Sequence, residues 1–158
     1  AACTGLMLCA RKGYLPGGQS LYYAAAAAGL VWLIFVEIVH RIRKSETGRR
    51  LASLDRFSRY ILLTALLLIA GGVIGSEWSL PVWLRWKLAL FGGVVACGIG
   101  IRFALIAHFR TWAEMATTGA SAEQNAVIRR TYVQATSVLI LMWVFIIGLV
   151  VLSIVKPR

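Results

Sequence analysis

The amino-acid sequence predicts an all-α integral membrane protein, a bundle of four transmembrane helices with both termini on the non-cytoplasmic side. Hydrophobic residues make up 59% of the 158 residues and charged residues only 15%, against roughly 45–50% and 25% in soluble globular domains. The apolar residues come in four long blocks rather than in a helical stripe. Basic residues crowd the ends of these blocks, which is typical of membrane topology signals.

Each apolar block is near the length of about 20 residues that crosses a hydrocarbon core about 30 Å thick. The predicted spans are 21–40, 60–77, 86–109 and 131–155. We predict helices because a backbone in lipid must satisfy its own hydrogen bonds. The spans form one transmembrane domain, 21–158, and residues 1–20 form a separate outer segment that several glycines and a proline interrupt.

The distribution of positive charge predicts the orientation, the localisation and the partners. The net charge is +11. Ten basic residues lie in the two longer loops: Arg41, Arg43, Lys44, Arg49, Arg50, Arg56, Arg59, Arg110, Arg129 and Arg130. Six lie on the other side: Arg11, Lys12, Arg85, Lys87, Lys156 and Arg158. This excess predicts that both loops are cytoplasmic, in a bacterial inner membrane, with anionic lipid headgroups as partners and no nucleic acid.

Local signals predict where some helices begin and end. Gly48 suits the position that follows the end of a helix, so the first helix is expected to continue past His40 and to end near Gly48. Pro81 suits the first turn of the third helix. Ser121 followed by Gln124 is a capping-box pattern and predicts that the fourth helix begins before its apolar block.

Two ionisable residues lie inside predicted spans, where such groups are costly and usually paired. Glu37 lies near the cytoplasmic end of the first span, and Arg102 lies at a similar depth in the third. We predict an intramembrane ion pair between them that clamps the two helices together. A proton, ion or anionic-ligand site is the alternative, as is snorkelling of each side chain without pairing.

His40 and His108 are the only histidines, and the predicted topology places both at the cytoplasmic face. Two histidines on different helices at one depth can be the axial ligands of a b-type haem. A metal or quinone contact is a second possibility. The third is that both imidazoles lie among lipid headgroups without binding a cofactor.

Soft metal ligands cluster only in the outer segment. Cys3, Met7 and Cys9 supply thiolate and thioether sulfur, the ligands that Cu(I) prefers. In an oxidising compartment a Cys3–Cys9 disulfide is the alternative.

Sequence signatures of common enzymes are absent. The sequence contains no zinc-protease helix motif, no nucleotide-binding glycine loop and no nucleophile elbow. Enzymatic activity is therefore open, and the sequence favours a protein without it.

From about Leu54 onward the chain resembles membrane proteins of the copper-resistance D type. The resembling stretches are Phe57-Ser58-Arg59, Leu84-Arg85-Trp86-Lys87-Leu88-Ala89-Leu90, Ala126-Val127-Ile128-Arg129-Arg130 and the final Lys156-Pro157. The resemblance implies copper handling across the inner membrane or haem-linked chemistry. The chain departs from that type in lacking a membrane path rich in methionine or histidine, which puts copper conduction in doubt.

Three functions follow as expectations. The first is a small inner-membrane protein that handles a metal or cofactor, as in copper transport or tolerance. The second is a non-catalytic subunit or assembly factor of a larger membrane complex, with other membrane subunits as partners. The third is a redox protein linked to b-type haem or quinone.

Overall fold

The computed structural model describes residues 2–42, 45–78 and 80–155. Every regular element in those ranges is an α-helix, which confirms the predicted all-α class. The described chain contains five helices: α1 (Ala2–Arg11), α2 (Gly18–Ile42), α3 (Glu46–Ala70), α4 (Val82–Thr118) and α5 (Ala122–Val155).

Three of the helices, α2, α4 and α5, are long and apolar enough to cross a membrane. They contain the predicted spans 21–40, 86–109 and 131–155. With 37 and 34 residues, α4 and α5 are about 55 Å and about 50 Å long, at 1.5 Å per residue. Both exceed a hydrocarbon core of about 30 Å, and both extend beyond their apolar stretch towards the turn that joins them.

The second predicted span, 60–77, coincides with a helix only in part. Helix α3 begins at Glu46, runs through the charged segment and ends at Ala70. Its apolar part, 60–70, is about 16 Å long, which is about half the thickness of the hydrocarbon core. A bundle of four transmembrane helices therefore stays a prediction.

Gly72 ends α3 in a left-handed backbone conformation, with φ of +73°. The Gly72 N–H donates to Ile69 O at 3.1 Å, and the Val73 N–H donates to Leu68 O at 2.9 Å. This pair of bonds is the Schellman motif, in which a glycine satisfies the last carbonyls of a helix. The chain therefore turns at Gly72 although the sequence stays apolar beyond it.

The boundary between α2 and α3 differs from the prediction. Helix α2 ends at Ile42, and Gly48 lies inside α3 rather than after α2. Ser45 has an extended backbone, and its side chain accepts a hydrogen bond from the Gly48 N–H at 3.0 Å. A serine that satisfies a free N–H at a helix start is a strong N-cap, so the predicted helix end near Gly48 is wrong.

Two predicted helix starts are confirmed. Ser121 Oγ accepts from the Gln124 N–H at 3.2 Å, while Gln124 Oε1 accepts from the Ser121 N–H at 3.1 Å. These reciprocal bonds form the capping box of α5. Pro81 O accepts from the Leu84 N–H at 2.9 Å, so the proline precedes the first residue of α4.

The chain divides into two compact units, residues 1–85 and 86–158. In the first unit, helix α1 packs against α2. The sequence did not predict α1. Ala10 and Ala25 are both 3% exposed, and a Cβ built on Gly29 would lie 3.1 Å from Cys3 Cβ. Small residues allow this close approach of two helices.

Candidate functional site

Helices α4 and α5 form an antiparallel hairpin in the second unit, and their register positions the candidate site. The turn is made at Gly119, which has φ of +82° and donates its N–H to Met115 O at 3.0 Å. Contacts across the hairpin join Gly93 to Phe145, Gly100 to Val138 and Gly148 to Leu90. Both members of each pair lie equally far from Gly119 along the chain, as two straight antiparallel helices require.

His108 and Thr131 make a polar contact in nearly the same register, at 11 and 12 residues from Gly119. His108 Nδ1 lies 3.1 Å from Thr131 Oγ1 and joins α4 to α5. Thr131 is only 7% exposed, and its hydroxyl also lies 2.9 Å from Val127 O and 3.0 Å from Ile128 O.

The hydroxyl of Thr131 can accept a hydrogen bond from the imidazole of His108. A hydroxyl has one hydrogen and two lone pairs, and this hydrogen points to the backbone carbonyls one turn earlier in α5. The lone pairs of the hydroxyl are then available to a His108 Nδ1–H. In the tautomer that donates this bond, the other nitrogen, Nε2, carries the lone pair that can bind a metal.

Two aromatic side chains flank the His108 ring. Trp112, one turn further along α4, stacks on the imidazole with ring centroids 6.3 Å apart and an interplanar angle of 26°. Phe109 makes an edge contact at 5.8 Å and 90°. The Trp112 and Phe109 side chains are 62% and 65% exposed, so the site lies on the outer surface of the hairpin rather than in a protein core.

The second predicted histidine belongs to the other unit. His40 lies in the last turn of α2 and is exposed. His108 lies on α4 in the second unit. Their joint ligation of one haem stays a prediction.

Glu37 has an ion-pair partner within its own helix. Glu37 Oε1 accepts from Arg41 Nε at 2.8 Å, one turn further along α2. Arg102 lies in the apolar stretch of α4 and is half-buried. The predicted ion pair between Glu37 and Arg102 stays a prediction.

The three soft ligands of the outer segment lie on one short helix, α1. Cys3 and Met7 are four residues apart, so they are neighbours on one face. Cys9 is six residues from Cys3, which separates them by about 9 Å along the helix axis. Disulfide-bonded residues have Cα atoms about 4.4–6.8 Å apart, so the helix does not permit a Cys3–Cys9 disulfide, and copper binding there stays a prediction.

No group of three or more histidine, cysteine or acidic side chains that could hold a metal ion occurs in the described part of the chain. Sequence reasoning identified His108 but missed Thr131. The signal that could have found it is the hairpin itself, because residues at nearly equal distances from Gly119 meet across α4 and α5.

Arg85 is a second residue whose structural role the sequence did not reveal. It was counted only among the basic residues that predict topology. A Cβ built on Gly72 would lie 2.8 Å from Arg85 Nη1, so the guanidinium lies against the turn that ends α3. Arg85 Nε is buried and has no hydrogen-bond partner among the described residues. The positive charge lies beside the carbonyl end of a helix, which attracts cations.

Comparison with protein-family models, with curated proteins and with solved structures finds no match to this chain, so the resemblance to copper-resistance D proteins stays a prediction.

Proposed function

We propose that this chain is a membrane protein that binds a metal-bearing cofactor through Nε2 of His108, and that the cofactor is a b-type haem. The hydrogen bond between His108 Nδ1 and Thr131 Oγ1 at 3.1 Å carries the proposal. Histidines that bind metals almost always donate their other ring N–H to an acceptor, which orients the ring and raises its basicity. The pairing with a buried threonine supports this role over that of an idle imidazole at the membrane surface.

The ligand set favours a cofactor that brings most of its own ligands. A bare zinc ion takes about four protein ligands, whereas no three histidine, cysteine or acidic side chains among the described residues could together hold a metal ion. A haem iron needs only one or two axial ligands from the protein. The resemblance to copper-resistance D proteins implies copper handling or haem-linked chemistry. It therefore agrees with a bound copper ion as well as with a bound haem.

The residues around His108 have separate roles in this proposal. Thr131 holds the imidazole in one tautomer, and Trp112 restricts its rotation by stacking on one face. Phe109 supplies apolar surface beside the ring. Bound haem would supply one-electron chemistry at its iron, and a hydrophobic shell of this kind tunes its reduction potential.

The proposal includes four transmembrane helices, both termini outside, basic loops in the cytoplasm and a bacterial inner membrane. The excess of arginine in the two longer loops supports this orientation. For the second span, 60–77, the hydrogen bonds that Gly72 and Val73 donate to α3 carbonyls support a turn at membrane depth. Irregular backbone is tolerated in lipid only when its polar groups are satisfied or covered.

An absorption spectrum tests the cofactor. The full chain is produced in cells supplied with haem precursor, purified in a mild detergent and analysed in parallel for bound copper and iron. We expect a Soret band that is lost in His108→Ala. In Thr131→Val we expect haem affinity to fall by about 10–100-fold, the usual effect of losing such an orienting partner.

Thr111→Val is the matched control, because Thr111 is a second buried threonine on the same hairpin. Thr111→Val should bind haem with the same affinity as the unaltered chain. His40→Ala shows whether His40 is the second axial ligand. A preparation that binds neither haem nor copper would refute the proposal, whereas stoichiometric copper without haem would replace haem by the bare ion.

A second candidate function is that of a non-catalytic subunit or assembly factor in a larger membrane complex. None of the residues in the most apolar stretch of α5 is buried within the chain. Trp143 and Ile147 on that stretch are 57% and 59% exposed. Such faces are available to helices of other subunits as well as to lipid.

Co-purification separates this candidate from the first. A native extract in mild detergent should contain a stoichiometric membrane partner that is lost when Trp143 and Ile147 are both changed to alanine. Recovery of the chain alone, with a spectrum that shows haem, would favour the cofactor proposal.

A further inference from the structure

One exposed face of helix α5 borders about 520 Å³ of open space and belongs to neither the histidine site nor the hairpin contacts. Its lining residues are Ala126, Arg129, Arg130, Val133 and Gln134. Their spacing of three and four residues places them on one face of the helix. We call this surface the α5 arginine groove.

The groove lies where α5 enters the apolar part of the chain. No charged residue occurs from 131 to 155, and residues 135–155 form a helix about 30 Å long, which matches the hydrocarbon core. With residues 135–155 spanning the core, Arg129 and Arg130 would lie at the level of the lipid headgroups. Gln134 would lie one turn deeper, at the level of the glycerol esters.

No acidic side chain among the described residues neutralises the charge of the groove. Arg129 and Arg130 are exposed, and neither has an ion-pair partner among the described residues. By contrast, Arg110 at the end of the apolar part of α4 is paired with Glu114 at 3.1 Å. Two adjacent guanidinium groups without a carboxylate partner are complementary to an anion.

We propose that the α5 arginine groove binds one anionic phospholipid. The guanidinium groups of Arg129 and Arg130 hold its phosphate, because the planar fork of arginine matches the geometry of phosphate oxygens. The short side chain of Ala126 leaves room for the headgroup. The Gln134 amide donates to the ester region, and Val133 contacts the start of an acyl chain.

Lipid titration followed by native mass spectrometry tests this proposal. The full chain is delipidated in a neutral detergent and titrated with phosphatidylglycerol or with phosphatidylcholine of the same acyl chains. We expect one tightly bound phosphatidylglycerol and a weaker affinity for phosphatidylcholine. Each basic residue near an anionic headgroup contributes about a fivefold factor in affinity, so Arg129→Gln/Arg130→Gln should bind about 25-fold more weakly.

Arg110→Gln is the matched control, since it removes one arginine from the same hairpin whose charge is already neutralised by Glu114. It should change the affinity for phosphatidylglycerol by less than about twofold. An equal loss in Arg110→Gln and in the double variant would overturn the proposal, because it would show a general response to net charge. Equal affinity for both lipids in the unaltered chain would overturn it as well.

Two further arms keep the test decisive. Arg129→Lys/Arg130→Lys preserves the charge and removes the fork, so we expect an intermediate affinity from a chain that folds even if the glutamine variant does not. Inorganic phosphate in excess is the competitor. If it displaces phosphatidylglycerol completely at millimolar concentration, the groove is a site for free phosphate and the lipid assignment is wrong.

Discussion

Arg41 Nε donates a hydrogen bond to Glu37 Oε1 at 2.8 Å, between side chains one turn apart on α2. These side chains are 76% and 58% exposed, and they lie in the last turns of α2, where we expect them to reach the water at the membrane face. An ion pair of this spacing in contact with water contributes about 0.3–0.5 kcal/mol. We expect Glu37→Gln to lower the free energy of unfolding by no more than that amount, as measured by denaturation in mixed micelles.

A double-mutant cycle decides whether Glu37 also pairs with Arg102. The variants are Glu37→Gln with Arg41→Gln, and Glu37→Gln with Arg102→Met. Coupling to Arg41 of a few tenths of a kcal/mol, with none to Arg102, would limit Glu37 to its own helix. Coupling to Arg102 above about 1 kcal/mol would establish the interhelical clamp.

Replacing Gly72 by alanine should destabilise the end of α3. The position has φ of +73°, and an added Cβ would lie 2.8 Å from Arg85 Nη1. We expect a loss of about 1–3 kcal/mol from backbone strain. Gly98→Ala is the control, since a Cβ there meets nothing within 4 Å, and alanine should add about 0.5–1 kcal/mol in a helix interior. Equal stability of both variants would contradict the described turn.

Replacing Gly93 by alanine should loosen the α4–α5 hairpin. An added Cβ would lie 2.8 Å from Phe145 Cε2, which forces the ring or the helix to move. Overpacking of this kind costs about 1–3 kcal/mol. The thermal midpoint in detergent should fall for Gly93→Ala, and Phe145→Leu in the same chain should restore part of the loss. Additive losses in the double variant would exclude this contact.

Cys3 and Cys9 should both react with maleimide without prior reduction. The two residues lie about 9 Å apart along the α1 axis, beyond the range of a disulfide. Purification without reductant, denaturation in maleimide and mass spectrometry should add one label at each position. A protected pair that reacts only after reduction would show that α1 does not persist in the native chain.

Several helix starts could be predicted because their interactions are local. The Ser121–Gln124 capping box joins residues three positions apart, and Pro81 precedes α4 because its own ring suits a helix start. The end near Gly48 failed for a related reason. Gly48 is a signal for the end of a helix, and Ser45, three residues earlier, is a signal for the start of one. The hydrogen bond from the Gly48 N–H to Ser45 Oγ makes the serine the N-cap of α3.

The length of the second apolar block misled the prediction of a helix over 60–77. Hydrophobicity continues past Ala70, but the helix ends there because Gly72 adopts a left-handed conformation and satisfies the last carbonyls. Composition measures how apolar a segment is, and it does not reveal which glycine turns the chain. The short helix α1 was missed because its stability depends on packing against α2, not on its own ten residues.

His108 was a candidate from its residue type alone, but only the hairpin register assigns it Thr131 as a hydrogen-bond partner. The free energy of transferring a helix from water to lipid is approximately a sum over its residues. The apolar character of α2, α4 and α5 can therefore be predicted from the sequence alone. The contact between His108 and Thr131 depends on how far each helix extends from Gly119 and on the packing of Gly93 against Phe145. Residues far apart along the chain therefore meet through tertiary packing, which no local pattern specifies.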